Sequence, residues 1–178
     1  DYSTKLLGLD SLDRFLSSAL CYLSTVINQC RREKCKVNGM VSLKTLDQAG
    51  PIIVKGLGRY EKSTGKNPRD ILSDQDCQLV DRVDGKRDFM IIDNKYISYF
   101  KSSSGAEALV FLEIKDNLDH LDRELLNIFN RNILAAFESL CVHKEIEKTQ
   151  REILFVLGER TEARSEETGD PVRRVSEY

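Results

Sequence analysis

Few residues in this 178-residue sequence have chemical options: two histidines, five cysteines and one basic loop. His120 lies in DNLDHLDRE, beside Asp119 and close to Asp122. An imidazole among carboxylates can move protons near neutral pH. The order, however, is Asp-His and not the His-Asp of a metal-dependent phosphohydrolase, and the residue reads as helix surface. His143 follows Cys141 by two positions and reads as solvated or as part of a helix seam. The cysteines, at 21, 30, 35, 77 and 141, form an odd and irregular set, two of them at apolar helical positions. That suits a reduced, cytoplasmic protein better than a disulfide scaffold. Cys30 and Cys35 have neither a second pair nor a nearby histidine, so no zinc site is expected. No GxSxG elbow occurs. STGKNP (63–68) falls short of a phosphate loop, with Tyr60 where a glycine belongs and Asn67 where a Ser or Thr is needed.

The basic loop is the strongest remaining candidate. GLGRYEKSTGKNPRDIL (56–72) carries Arg59, Tyr60, Lys62, Lys66 and Arg69, a set that favours a small anion if a pocket lies beneath it. A solvated connector is the plainer alternative. No catalytic residue, cofactor or metal-ligand set is expected in this chain. The formal charge is −2, with 27 basic and 29 acidic residues, so no global footprint for nucleic acid exists. The cluster Arg31, Arg32, Lys34, Lys36 reads as a helix end and solvated turn. No run approaches the roughly 20 apolar residues that span a bilayer. The start, DYSTKLLGLD, lacks a signal-peptide layout and a Met, and is expected to be the cut edge of a longer protein.

The elements around that loop follow from periodicity. Leu9, Leu12, Leu16, Ala19, Leu23, Val26 and Cys30 recur at spacings of three and four, a heptad seam over a helix from about 9 to 30. Phe15, Leu20 and Ile27 widen one flank, so this helix is expected to serve both a core and a subunit contact, a lone helix laid on a sheet being the plainer alternative. Asp10 and Ser11 can cap its start. From 36 to 114 the period falls to two. VNGMVSL, PIIVKG, FMII, KYISYF and AEALVFLEI read as five antiparallel strands, with turns at 47–50, 93–94 and 102–105. Tyr96, Tyr99 and Phe100 are sheet-face packing residues. A short helix over 74–83 follows the basic loop, capped by Ser73 with Asp76 three residues on. The class is α+β.

The last helix, expected over 119–164, carries two stripes. Leu126, Phe129, Ile133, Phe137 and Leu140 stop near 141. Leu118, Leu121, Leu125, Ile128, Asn132, Ala135, Ser139, Val142, Ile146, Thr149, Ile153 and Val156 continue at heptad spacing. Two faces covered early and one later predict a helix that leaves a globular body and pairs with a second copy. The expected homodimer seam is Leu9, Leu12, Leu16, Leu23, Val26, Leu125, Ile128, Asn132, Val142, Ile146 and Ile153.

The segments KSSSGAEALVFLEIKDNLDHLDRELLNIFNRNILAAFESL (101–140) and EIEKTQREILFVLGERTEARSEETG (145–169), with the turn at Gly56, Gly58, Arg59 and Tyr60, resemble an uncharacterised GAF-like domain of bacterial response regulators. That domain lies between a receiver and an HD-GYP cyclic-di-GMP phosphodiesterase. The resemblance implies a GAF-like regulatory domain over 1–149, followed at 150–178 by a linker helix and the truncated start of the HD-GYP domain. It implies a receiver before residue 1, and Fe or Mn in the output domain of the parent. It places a small ligand, if any, between the sheet and its covering segment. Glu167 matches an acidic metal ligand of the HD-GYP opening helix, whereas Pro171 replaces the family's histidine and cannot ligate.

Overall fold

The computed structural model describes the backbone of residues 2–30, 37–83, 89–115 and 118–175, and the side chains of 11–28, 37–83, 89–115 and 118–158. Leu9, Asp10, Cys30, Cys35, the 31–36 cluster, Glu167 and Pro171 carry expectations that lie outside those side chains. The chain forms two compact units, Asp1–Cys141 and Val142–Tyr178.

Helix α1 runs Tyr2–Cys30 and is followed by strands β1 (Val37–Lys44) and β2 (Ile52–Leu57). Two 3-10 turns, Gly58–Ser63 and Pro68–Asp70, lead into α2 (Asp74–Val83). Then come β3 (Phe89–Ile92), β4 (Lys95–Lys101), β5 (Glu107–Ile114) and α3 (His120–Val175). The five strands form one antiparallel sheet in the order β2-β1-β5-β4-β3, as the α+β reading expects. The hairpin β1–β2 and the meander β3–β4–β5 meet where β1 lies against β5, Val37 opposite Ile114 and Lys44 opposite Glu107. The two-residue turn before β4 puts Asp93 at φ 51°, a left-handed conformation that Asp tolerates. Asn94 ties it down, its Nδ2 donating to the Ile114 carbonyl at 2.7 Å.

Alternation along the strands divides the first unit into two cores. On one face Val41, Leu43, Tyr96, Phe100, Val110 and Leu112 pack beneath α1 and the first turns of α3. Helix α1 contributes Leu12, Leu16, Leu20, Leu23 and Ile27, all at most 4% exposed. This face is rotated from the heptad seam: Leu20 and Ile27 take the inward places, and Val26 is half-buried. A helix laid on a sheet buries a 3.6-residue stripe wider than the a and d positions of a coiled coil. Leu12, Leu16 and Leu23 are therefore covered within the chain itself. The first part of α3 presents Leu126, Ile133, Phe137 and Cys141 to the same core, and its inward stripe ends at Cys141. A polar link crosses this core: buried Asn130 accepts at Oδ1 from Tyr96 Oη at 2.8 Å and from Ser98 Oγ.

The other face, built on Met40, Ile97, Leu109 and Phe111, is covered by the two 3-10 turns and α2. Cover and sheet are locked at α2's start. Ser73 Oγ accepts from the Asp76 amide at 3.2 Å and donates to its carboxylate at 2.7 Å, while Lys95 Nζ binds that carboxylate at 2.6 Å. Helix α3 continues to Val175, eleven residues past the expected end at 164, and the expected domain boundary at 149/150 falls inside it.

Candidate functional site

The basic loop is not a loose connector. Gly56 is buried, and a Cβ there would lie 1.9 Å from the Tyr60 carbonyl oxygen, so the chain can fold back this tightly only on a glycine. Gly58 supports the same turn at φ +61°. The fold-back drives Tyr60 into the second core, 2% exposed, where its ring meets Phe111 edge-on at 6.0 Å. Arg59 stacks over that ring at 4.8 Å and reaches Glu113 at 3.1 Å, and its amide donates to Asn38 Oδ1 at 3.1 Å. Arg59 and Tyr60 thus fasten the cover to the sheet. Lys62 and Lys66 are exposed. Within 63–68, the Gly65 amide donates to the Ile53 carbonyl at 2.8 Å, and Asn67 caps the second 3-10 turn through the Arg69 amide at 3.0 Å. These groups serve the fold.

Beneath the cover lies a cavity of about 230 Å³. Its floor is the sheet: Ser42 and Lys44 from β1, Tyr99 from β4, Glu107 and Leu109 from β5. Pro68, Arg69, Leu72, Cys77 and Val80 form its roof. Of the basic-loop residues singled out from sequence, Arg69 alone lines it; Arg59, Tyr60 and Lys62 do not. The missing members come from strands whose alternation turns Lys44 and Glu107 to this face. Only the pairing of β1 with β5 brings them opposite each other, so sequence spacing held no signal for them.

The electrostatics of the cavity are asymmetric. Glu107 is bound by Lys44 and Lys101, each at 3.1 Å. Burial alone would raise its carboxyl, but hydrogen bonds from Lys101, Lys44 and Tyr99 outweigh that and hold it below the usual carboxylate range. Arg69 pairs with Asp81 at the rim, both side chains about half exposed. Burial pushes the Cys77 thiol up, which makes it a poor nucleophile, and its sulfur lies 3.9 Å from the Arg69 carbonyl.

The histidines take no part. His120 is exposed on the first turn of α3, and His143, 71% exposed, faces Glu147 at 3.5 Å one helical turn on. Among the described residues, no three His, Cys, Asp or Glu side chains are grouped to hold a metal ion. Among them, too, no helix is long and apolar enough to cross a membrane.

A second recess, of about 160 Å³, lies between α1 and α3 and is lined by Tyr22, Val26, Leu125, Ile128, Phe129 and Asn132 among others. Four of these, Val26, Leu125, Ile128 and Asn132, belong to the expected subunit seam. Tyr22 stacks on Phe129 at 6.3 Å, and Tyr22 and Ile128 are 64% and 56% exposed. In the second unit Val142, Ile146 and Ile153 are 39%, 49% and 54% exposed.

No solved structure matches the chain. Over 83 residues, 47% of the chain, it is 32% identical to the 3'3'-cGAMP-specific phosphodiesterase 2 of Vibrio cholerae serotype O1; the match spans 16% of that protein. Residues 1–146 match the family model described as a domain of unknown function (DUF3369), and the chain belongs to that family.

Proposed function

We propose that the chain is a non-catalytic regulatory module, a sensor or relay of a two-component response regulator. In this reading it is GAF-like, pairs with a second copy and acts on a C-terminal output domain of the HD-GYP phosphodiesterase type. The observation that carries the reading is the apolar stripe left uncovered on α3. In the first unit Leu121 and Ile128 are 61% and 56% exposed, and in the second unit Val142, Ile146 and Ile153 are 39–54% exposed. Counted along the sequence, all five keep one heptad register. An identical helix is the partner that covers such a stripe, and a left-handed supercoil keeps it in contact. Asn132, Ser139 and Thr149 interrupt it; the Thr149 hydroxyl already donates to the Glu145 carbonyl at 3.0 Å, which lets it sit in a seam. Two packings of such a pair can differ by only a few kcal/mol, which is what a switch needs.

The likeness to a cyclic-dinucleotide phosphodiesterase supports the choice of output. That domain, with its Fe or Mn, a preceding receiver and a cytoplasmic location belong to the proposal. A rigid spacer is the second reading; the cavity under the 56–72 segment favours a sensor over it. Light scattering across the micromolar range should report a dimer, and a strict monomer at high micromolar concentration would refute the pairing. The purified chain with added Mn or Fe should not hydrolyse 3'3'-cGAMP or cyclic-di-GMP. Measurable turnover would overturn the non-catalytic assignment.

A further inference from the structure

We infer that the cavity between the sheet and the Pro68–Val80 cover binds a small amphipathic anion: a carboxylate on a short apolar or aromatic body. The inference deepens the sensor reading by naming its input, but the binding itself needs neither a dimer nor an output domain.

Three observations lead to it. First, size: about 230 Å³ is below the roughly 300–1,000 Å³ typical of drug-sized ligands. A cyclic dinucleotide does not fit; a single ring or short chain does. Second, the wall facing a ligand body is apolar, with Leu72 and Val80 above and Leu109 below, each at most 8% exposed. Third, the charged side chains of the lining are two cations, Lys44 and Arg69, against one carboxylate, Glu107. That carboxylate is already engaged by Lys44, Lys101 and Tyr99. Lys44 spends one of its three N–H groups on Glu107, and the Arg69 fork has five N–H groups with which to meet Asp81 and a ligand together. Ser42, 1% exposed, adds a hydroxyl at the floor. Lys44 and Arg69 stand at the solvent side, 39% and 53% exposed, one on the sheet and one on the cover. An anion at the mouth would bridge them, and its apolar body would lie inward.

That bridge also couples the ligand to the fold. Arg69 is carried by the short turn Pro68–Asp70 just before α2, so an anion shared with Lys44 draws the cover toward the sheet.

The test uses benzoate as probe, with benzamide as its neutral counterpart and inorganic phosphate as a bare anion, each followed by heteronuclear NMR titration of the whole chain. Benzoate should give saturable shifts centred on Ser42, Lys44, Leu72 and Leu109, with benzamide and phosphate each at least about tenfold weaker, the worth of one charge-assisted hydrogen bond. Arg69→Gln and Lys44→Gln should each weaken benzoate by about tenfold, while light scattering reports an unchanged oligomeric state. Equal binding of benzamide would overturn the anion assignment, and phosphate as good as benzoate would overturn the apolar half. Absence of benzoate shifts, or displacement of benzoate by a cyclic dinucleotide from the same residues, would overturn the proposal. Because the wild-type comparison of three probes suffices, a variant that fails to fold leaves the test standing.

Discussion

Asp76 offers the sharpest test of how the cavity's roof is held. Its side chain is 3% exposed and its carboxylate receives Lys95 Nζ at 2.6 Å and Ser73 Oγ at 2.7 Å. Asp76→Asn keeps the shape and removes the charge. Hydrogen bonds to a charged group contribute about 1.5–3 kcal/mol each. Lys95, at 23% exposure, regains some water when its partner is neutral, so the loss stays below the about 3–5 kcal/mol of a fully buried broken pair. The expected cost is about 2–3 kcal/mol, which for a domain of this size lowers Tm by about 5–10 °C. The pH dependence fixes the cause. Burial alone would raise the Asp76 carboxyl, but hydrogen bonds from Lys95 and Ser73 outweigh it and hold the folded pKa below the ordinary value. A depressed folded pKa means stability that is present above the unfolded pKa of about 4 and lost as pH falls through the folded value. Wild type should therefore lose this stability below about pH 4, and the variant should lack that part of the slope. Thermal melts from pH 7 down to the acid limit read both effects. A variant within about 0.5 kcal/mol of wild type, or one with the same acid slope, would show that the pair does not hold α2 on the sheet.

Other expectations follow from the same geometry. Gly56→Ala forces a methyl into the Tyr60 carbonyl and should cost about 3 kcal/mol or more, read as a shifted urea midpoint. Ile128→Glu combined with Ile146→Glu should convert the proposed dimer to monomer by light scattering, with circular dichroism unchanged, because both side chains are about half exposed within one chain. Tyr96 is buried on Asn130, and desolvation raises its phenol well above the usual value. Its ultraviolet titration should therefore appear only as the fold opens, and stability should fall above about pH 10. Tyr96→Phe should remove that alkaline loss at a cost of about 1 kcal/mol, since Ser98 still donates to Asn130.

Much of this protein is written in local pattern. Period-two alternation located all five strands, and Ser73 with Asp76 marked where α2 begins. The two stripes of α3 separated at Cys141 because a helix that meets a sheet needs an apolar face only for as long as the sheet lasts. Tertiary structure decided what periodicity cannot encode. Both candidate faces of α1 are apolar, and only packing chose the one with Leu20 and Ile27, so that Leu12, Leu16 and Leu23 serve the chain's own core. The basic loop showed its charges but not their use. Arg59 and Tyr60 were drawn into fastening the cover, because Gly56 lets the backbone double back on itself. Lys44 and Glu107, 63 residues apart, became neighbours only through the antiparallel pairing of β1 with β5. A cavity is made by what fails to meet when two layers close, and one strand or helix alone carries no record of that gap.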